Sequence, residues 1–174
     1  MLEHNRILLE EISEQDVDGL YKCYSHQETM EFFGHKTINN LEEALDIIKK
    51  NQKMKEFNTG VRYVAKMKDT KEFVGVVTLK RYNRTHHRGE IDYIILPRLQ
   101  GKGFASEMLH LFLEKVFKEW NLERITAYVD LDNVRSYHLL EKLHFQKEGL
   151  LRSWVYDNGS YYDVYSFSLI RSDL

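Results

Sequence analysis

The spacing of apolar positions changes period twice along the chain. Residues 5–10 read as a short strand. Behind them Ser13 offers a side-chain oxygen to cap a helix, and Glu14 and Asp16 place negative charge in its first turn, where the helix dipole favours it. Val17, Leu20, Tyr21 and Tyr24 then recur at helical spacing. A second helix is predicted after Asn39 or Asn40, with Leu41, Ala44, Leu45 and Ile48 on one face and Lys and Glu residues on the other. From Gly60 the period shortens: runs 61–67, 73–80 and 90–96 are β-branched and aromatic, separated by polar turns, as in an antiparallel meander. Pro97, the only proline, ends the third run because it has no N–H to give to a ladder. The helical period returns from about 103 to 120, where Phe104, Met108, Phe112, Val116 and Trp120 step by four and Leu109, Leu113 and Phe117 widen the stripe. A strand at 124–129, a helix at 134–143 and strands near 145–156 and 161–170 complete the chain, and Asp157-Asn158-Gly159 tolerates positive φ at the last hairpin. The order β-α-α-β-β-β-α-β-α-β-β defines an α/β (α+β) chain with a mixed, mostly antiparallel sheet of about seven strands and four helices.

With 174 residues, 43% of them apolar, and no repeat or Pro/Gly-rich linker, the expectation is a single domain spanning 1–174 around one core. A formal charge of -2 supplies no global field to recruit DNA or anionic lipid. The single cysteine, Cys23, excludes an intrachain disulfide and fits a reducing compartment. Glu3, Arg6, Glu10 and Glu11 break any apolar secretory signal at the start, and no run approaches the roughly 20 apolar residues of a membrane helix. A soluble, cytoplasmic protein without a DNA or membrane partner is expected.

The chemistry concentrates where the third run enters the long helix through Gln100-Gly101-Lys102-Gly103-Phe104-Ala105. The first N–H groups of a helix have no internal partners, and the dipole leaves partial positive charge there. Glycines let the chain wrap closely around an anion, and Lys102 adds a full charge; its plainer reading is a solvated loop residue, but its place beside two glycines at a helix start favours phosphate. A nucleoside-triphosphate loop needs Ser or Thr after Gly-Lys, and here Gly103 follows. A dinucleotide fingerprint needs Gly or Ala at its third position, where Ser106 stands, and normally follows the first strand. Coenzyme A is the remaining class.

Gln100-x-x-Gly103-x-Ala105 resembles the diphosphate-binding signature of the GCN5-related N-acetyltransferase (GNAT) superfamily, and the element order matches that family over nearly the whole chain. Downstream, Asn133-x-x-Ser136-x-x-Leu139-x-Glu141-Lys142-Leu143-x-Phe145-x-x-Glu148-Gly149 resembles its second block, in the form of the RimJ/RimL-like branch, which includes ribosomal-protein N-terminal and bacterial spermidine acetyltransferases. The resemblance implies an acyl-CoA-dependent N-acetyltransferase with acetyl-CoA as co-substrate, no metal, and an amine acceptor: a protein N-terminal α-amine, a polyamine or another small amine. It implies that main-chain groups of Tyr93, Ile94, Ile95 and Leu96 hold the pantetheine, with an N–H near Ile95 stabilising the oxyanion. Gln100, Gly101, Lys102, Gly103, Phe104 and Ala105, with Ser106, would bind the diphosphate, and Asn133 would touch the pantetheine from the far wall. Glu90 is the first candidate for the base that takes the amine's proton. The segment 14–55, with Tyr21, Tyr24, Glu28, Glu31, Phe32 and Phe33, would line the acceptor side. Members of the family are monomers or homodimers.

Each assignment has a plainer counterpart. Glu90 equally reads as a surface residue paired with Arg81 or Arg88, and Asn133 as a helix N-cap shared with Asp132. Two positions depart from the family: Leu140 stands where many relatives carry the tyrosine that protonates the thiolate, and His144 stands where glycine is usual. Ser136 or Tyr137 can substitute for that acid, or make local helix bonds and core contacts respectively. The missing tyrosine leaves a second reading open, a non-catalytic acyl-CoA-binding regulatory module. The basic turn 81–88 suits the 3′-phosphate of coenzyme A, an acidic substrate or ribosomal RNA, and equally a solvated loop. His86 and His87 are adjacent, so on a strand they point to opposite faces, while His26 and His35 are isolated; no zinc spacing or serine-hydrolase elbow occurs.

Overall fold

A computed structural model describes residues 6–33, 36–157 and 159–174. Asn5 and Asn158, named above in a strand and a turn, and His35 lie outside the described residues. Among the described residues seven strands form one sheet: β1 (Ile7–Glu11), β2 (Val61–Met67), β3 (Phe73–Asn83), β4 (Arg88–Ile95), β5 (Arg124–Asp130), β6 (Gln146–Asp157) and β7 (Ser160–Ile170), in the order β1-β2-β3-β4-β5-β7-β6. Every adjacent pair is antiparallel except β4 and β5. That parallel pair needs a crossover, and the amphipathic segment after the glycine loop supplies it as α4 (Phe104–Glu119).

The remaining helices are α1 (Val17–Tyr24), α2 (Gln27–Met30), α3 (Leu41–Glu56) and α5 (Val134–Lys142). The predicted four helices are all present; α2 is a fifth, a single turn too short for periodicity to mark. The first helix also begins differently. Ser13 does not accept a bond as a cap; its N–H and hydroxyl both donate to the Asp16 carboxylate, at 2.8 and 3.1 Å, and a 3-10 turn (Glu14–Asp16) precedes α1. Asn40 does cap α3, accepting from the Glu43 N–H at 2.9 Å.

Alternation along the strands sorts the two faces. On one, Arg62 of β2 donates to Thr78 of β3 and to the Ile47 carbonyl of α3, so α1 and α3 cover this side. On the other, Tyr63 meets Phe112 of α4 edge-on, and Tyr137 of α5 stacks on Phe167 of β7. Leu20 and Leu79 of the core have no exposed surface, nor do Phe112 and Phe167, and burying each such side chain contributes about 1.5–3 kcal/mol.

His144 closes α5 with φ +66°, while the Phe145 N–H reaches back to the Leu140 carbonyl at 2.9 Å. The turn is therefore the left-handed one that glycine favours, held by a histidine with the strain that a Cβ brings there. Glu148, from the second block, sits in a bulge of β6 and binds Arg124 of β5 with both carboxylate oxygens, so its part is to tie the hairpin to the sheet.

Candidate active site

The parallel ladder between β4 and β5 stops at Ile91 and Ala127, yet β4 runs on to Ile95 and β5 to Asp130. The two strands part there, and one edge of β4 is left without a strand partner from Asp92 onward. Antiparallel pairing with β3 decides which main-chain groups face the gap. The Leu96 N–H donates to the Val74 carbonyl at 2.9 Å, so by alternation Ile94 also points its N–H and C=O at β3, whereas Tyr93 and Ile95 point theirs into the gap. Of the four residues expected to present main-chain groups, Tyr93 and Ile95 do so; Ile94 and Leu96 contribute buried side chains, and the Leu96 N–H is committed within the sheet.

The glycine loop lies at the end of this gap. Pro97–Leu99 makes a 3-10 turn, and Gln100 folds back so that its Nε2 donates to the Ile95 carbonyl at 3.1 Å. Gly101 and Gly103 both take left-handed φ, +72° and +83°, and Gly103 is the N-cap of α4. A Cβ on Gly101 would meet nothing within 4 Å, so its glycine answers a backbone requirement rather than a contact. Gly101, Lys102 and Gly103 are exposed; Phe104 and Ser106 are buried in the first turn of α4 with Ala105 between them. An exposed helix entrance with two left-handed glycines and a lysine fits a diphosphate.

Beneath the loop lies a pair that sequence reasoning did not find. Glu107, only 1% exposed, accepts hydrogen bonds from the Arg6 N–H (2.8 Å), the Ile7 N–H (3.1 Å) and the Arg6 Nε (2.9 Å). Nη1 of Arg6 donates to the Lys102 carbonyl at 3.1 Å, and the guanidinium lies 4.2 Å above the Phe104 ring. The two residues are 101 apart in sequence, so no local pattern links them.

On the far wall, Asn133 caps α5: its Oδ1 accepts from the Ser136 N–H at 3.1 Å. Ser136 stands one turn before the buried Leu140, on the same face of α5, and its hydroxyl lies 2.7 Å from the Tyr93 hydroxyl. Burial pushes the Tyr93 phenol up to about 12, against a smaller lowering by the Ser136 bond, so this pair keeps its protons at neutral pH. Tyr137 does not face the gap as an acid would; its ring packs on Tyr165 and Phe167, as the core reading expects. Cys23 is buried and its thiol is pushed up to about 12 by burial, which leaves no thiolate to act as a nucleophile.

On the opposite face of β4, Glu90 is still inside the closed ladder, level with Thr126, and both its oxygens lie within 3.3 Å of Arg81 Nη1. This is the pairing of the surface reading, and with Arg81 largely exposed it contributes no more than about 1 kcal/mol. Asp92, the next residue on that face, lies just past the last β4–β5 pair. Its Oδ2 pairs with Lys80 at 2.6 Å; its Oδ1 is buried and has no hydrogen-bond partner. The hydroxyl of Tyr24, at the end of α1, is likewise buried and unpartnered. Glu28, Glu31 and Phe32 on the neighbouring segment are exposed, and the Tyr24 ring meets Phe33 edge-on. The basic turn 81–88 lies at the opposite end of β4 from the glycine loop, with the His86 N–H bonded to the Asn83 side chain. Among the described residues no group of three or more His, Cys, Asp or Glu side chains is placed to hold a metal, and no helix is long and apolar enough to cross a membrane.

Comparison with known proteins agrees with this architecture. The family described as the acetyltransferase (GNAT) domain matches residues 6–146. The uncharacterized N-acetyltransferase YoaA of Bacillus subtilis is 34% identical over 171 residues, covering 98% of this chain and 97% of that protein. The crystal structure of spermidine N-acetyltransferase from Vibrio cholerae, in complex with CoA and spermine, has a TM-score of 0.85 at 26% identity, with 97% of each chain covered. A Salmonella typhimurium acetyltransferase that modifies the N-terminal serine of ribosomal protein L7/L12 has the same fold, with a TM-score of 0.85 at 20% identity over 95% of each chain. The chain belongs to the GNAT acetyltransferase family. It is an N-acetyltransferase that uses acetyl-CoA as co-substrate and passes the acetyl group to an amine, and the non-catalytic reading gives way to the enzyme.

Proposed function

We propose that the amine attacks the acetyl carbon directly in the gap between β4 and β5, with no acyl-enzyme, and that the acceptor is an α-amine at a peptide or protein N-terminus. The observation that carries the proposal is the parting of β4 from β5 after Ile91, with the glycine loop at its far end. N–H groups from Gly101 to Ala105, with Lys102 and Ser106, hold the diphosphate, and Gln100 fastens the loop to the end of β4. Main-chain groups of Tyr93 and Ile95 take the pantetheine, the Ile95 N–H polarises the thioester carbonyl, and the side-chain NH2 of Asn133 closes the far wall. Glu90 takes the amine's proton through water. Ser136, backed by Tyr93, gives a proton to the departing thiolate in place of the tyrosine that Leu140 replaces. A single buried cysteine supports work in a reducing, cytoplasmic setting.

Arg62 and Lys80 stand on the same face of the sheet as Glu90 and Asp92, so an α-amine can meet a carboxylate while the carbonyl beside it meets a cation. The polyamine reading is supported by the Vibrio cholerae relative crystallised with spermine. Thiol release from acetyl-CoA, followed with spermidine and with a Ser- or Ala-initiated peptide, separates the two: the peptide is expected to give the higher kcat/KM, and a preference for spermidine would reverse the assignment.

The acid role has its own test. A thiol has an ordinary pKa of about 8.5 and leaves tolerably unaided, so Ser136→Ala should lower kcat by roughly tenfold rather than abolish turnover. Tyr93→Phe should produce a smaller fall. Coenzyme A affinity, read by calorimetry, should remain within about twofold in both; full kcat in Ser136→Ala would remove the hydroxyl from the reaction.

A further inference from the structure

Inside folded proteins, polar atoms cut off from water are nearly always hydrogen-bonded, and each exception calls for an explanation. Three such side-chain atoms stand out among the described residues: the hydroxyls of Tyr24 and Tyr137 and Oδ1 of Asp92. The ring of Tyr137 packs against those of Tyr165 and Phe167, on the α5 side of the sheet and away from the α1–α3 face. The other two belong together. The Asp92 charge acts on the Tyr24 phenol, as does that of Arg62, so the three groups share one neighbourhood under α1. Its walls are fixed from both sides: Arg62 is held by Thr78 and the Ile47 carbonyl, and Asp92 by Lys80.

Position gives this neighbourhood its meaning. Asp92 is the first residue of β4 beyond the last pairing with β5, and its side chain points to the α1–α3 face while the main chain of the next residue, Tyr93, opens into the gap. The carboxylate thus stands at the mouth of the parting, on the side opposite α4 and α5. Glu90, two residues earlier, is still inside the closed ladder and is clamped by Arg81. Asp92 keeps 19% of its side-chain surface exposed while Oδ1 itself is covered, so an amine reaches Oδ1 by displacing what covers it. An amine brings N–H donors, and a carboxylate oxygen and a phenol hydroxyl in one neighbourhood, both without partners, offer acceptors for them.

We infer that Asp92 binds the acceptor's amine and aims its nitrogen at the acetyl carbon, with the Tyr24 hydroxyl as the second acceptor and Lys80 holding the carboxylate in place. Asp92 is a binding and specificity residue in this role, distinct from the proton acceptor assigned to Glu90. The inference rests on the reading of the parted strands as the site of transfer.

The test is steady-state kinetics of the full chain with acetyl-CoA and the better of the two amines above, on Asp92→Asn, Tyr24→Phe and Glu90→Gln. Losing a charge-assisted hydrogen bond to the substrate should raise the acceptor KM of Asp92→Asn about tenfold or more, with the acetyl-CoA KM unchanged and kcat within a few-fold. Tyr24→Phe, which deletes one hydroxyl and keeps the ring, should raise the acceptor KM about threefold, and it carries the test alone if Asp92→Asn does not fold. Glu90→Gln should show the opposite split, a lower kcat at an unchanged acceptor KM. Unchanged acceptor KM in both Asp92→Asn and Tyr24→Phe, beside an active wild type, overturns the inference and leaves the transferase reading intact. A wild type inactive with every amine strikes the transferase reading itself.

Discussion

A Gly103→Val chain is expected to bind coenzyme A at least about tenfold more weakly than the wild type, and to melt a few degrees lower. Gly103 holds φ +83° at the N-cap of α4, a conformation that costs an L-residue about 1–2 kcal/mol and is worst for a β-branched one. The chain has two responses. Either the valine keeps the left-handed turn and the domain loses that stability, or the loop swings to negative φ and the N–H groups of the helix entrance turn away from the ligand. A Cβ at this position also meets Nη2 of Arg6 at 3.4 Å, so the branched side chain presses on the pair that supports the loop. Calorimetry with coenzyme A reads the affinity and thermal unfolding reads the fold. An unchanged Kd would mean that the diphosphate is bound elsewhere.

Arg6→Met should be the most destabilising single change near the site. It leaves Glu107 buried and charged with only the Arg6 and Ile7 N–H groups as donors. Breaking a buried pair costs about 3–5 kcal/mol, and since Arg6 is half exposed and two donors survive, about 2–4 kcal/mol is expected here. For a chain of this size that is a fall in Tm of roughly 5–15 °C. An uncompensated negative charge under the loop also repels the diphosphate, so coenzyme A affinity should fall with it. The double variant Arg6→Met/Glu107→Gln removes the charge and keeps an acceptor for the two N–H groups. It should therefore be more stable than Arg6→Met alone. Strict additivity of the two changes would show that the residues do not act as a pair.

What could be read along the chain and what could not divides by the range of the interaction. Gly101 and Gly103 announce a left-handed turn wherever they occur, and the stripe from Phe104 to Trp120 announces its helix, so the loop and its crossover were legible from neighbours within a few residues. The family resemblance pointed to the main chain of residues 93–96 and to a far wall at Asn133, and the structure places the end of the β4–β5 ladder at Ile91. Arg6 and Glu107 were not legible, because a charge at the first strand and another in the long helix carry no sign of each other until the sheet is assembled. Asp92 was hidden for a similar reason: in Glu90-Ile-Asp92 both acids point to one face, and spacing cannot tell which stands past the end of the ladder. The Tyr93 phenol carries no local sign of a partner, and only the approach of α5 brings Ser136 against it. His144 shows the converse, a position where the turn geometry overrides the residue's own preference.

The central claim is that exposed amides at the start of α4 and the free edge of β4 together hold acetyl-CoA. A crystal structure of the chain with coenzyme A tests it most directly. The diphosphate should lie within hydrogen-bonding distance of N–H groups between Gly101 and Ala105, and the pantetheine should pair with the main chain of Tyr93 and Ile95. A ligand bound away from the loop, or a gap between β4 and β5 closed by side chains with the ligand outside it, would contradict the account.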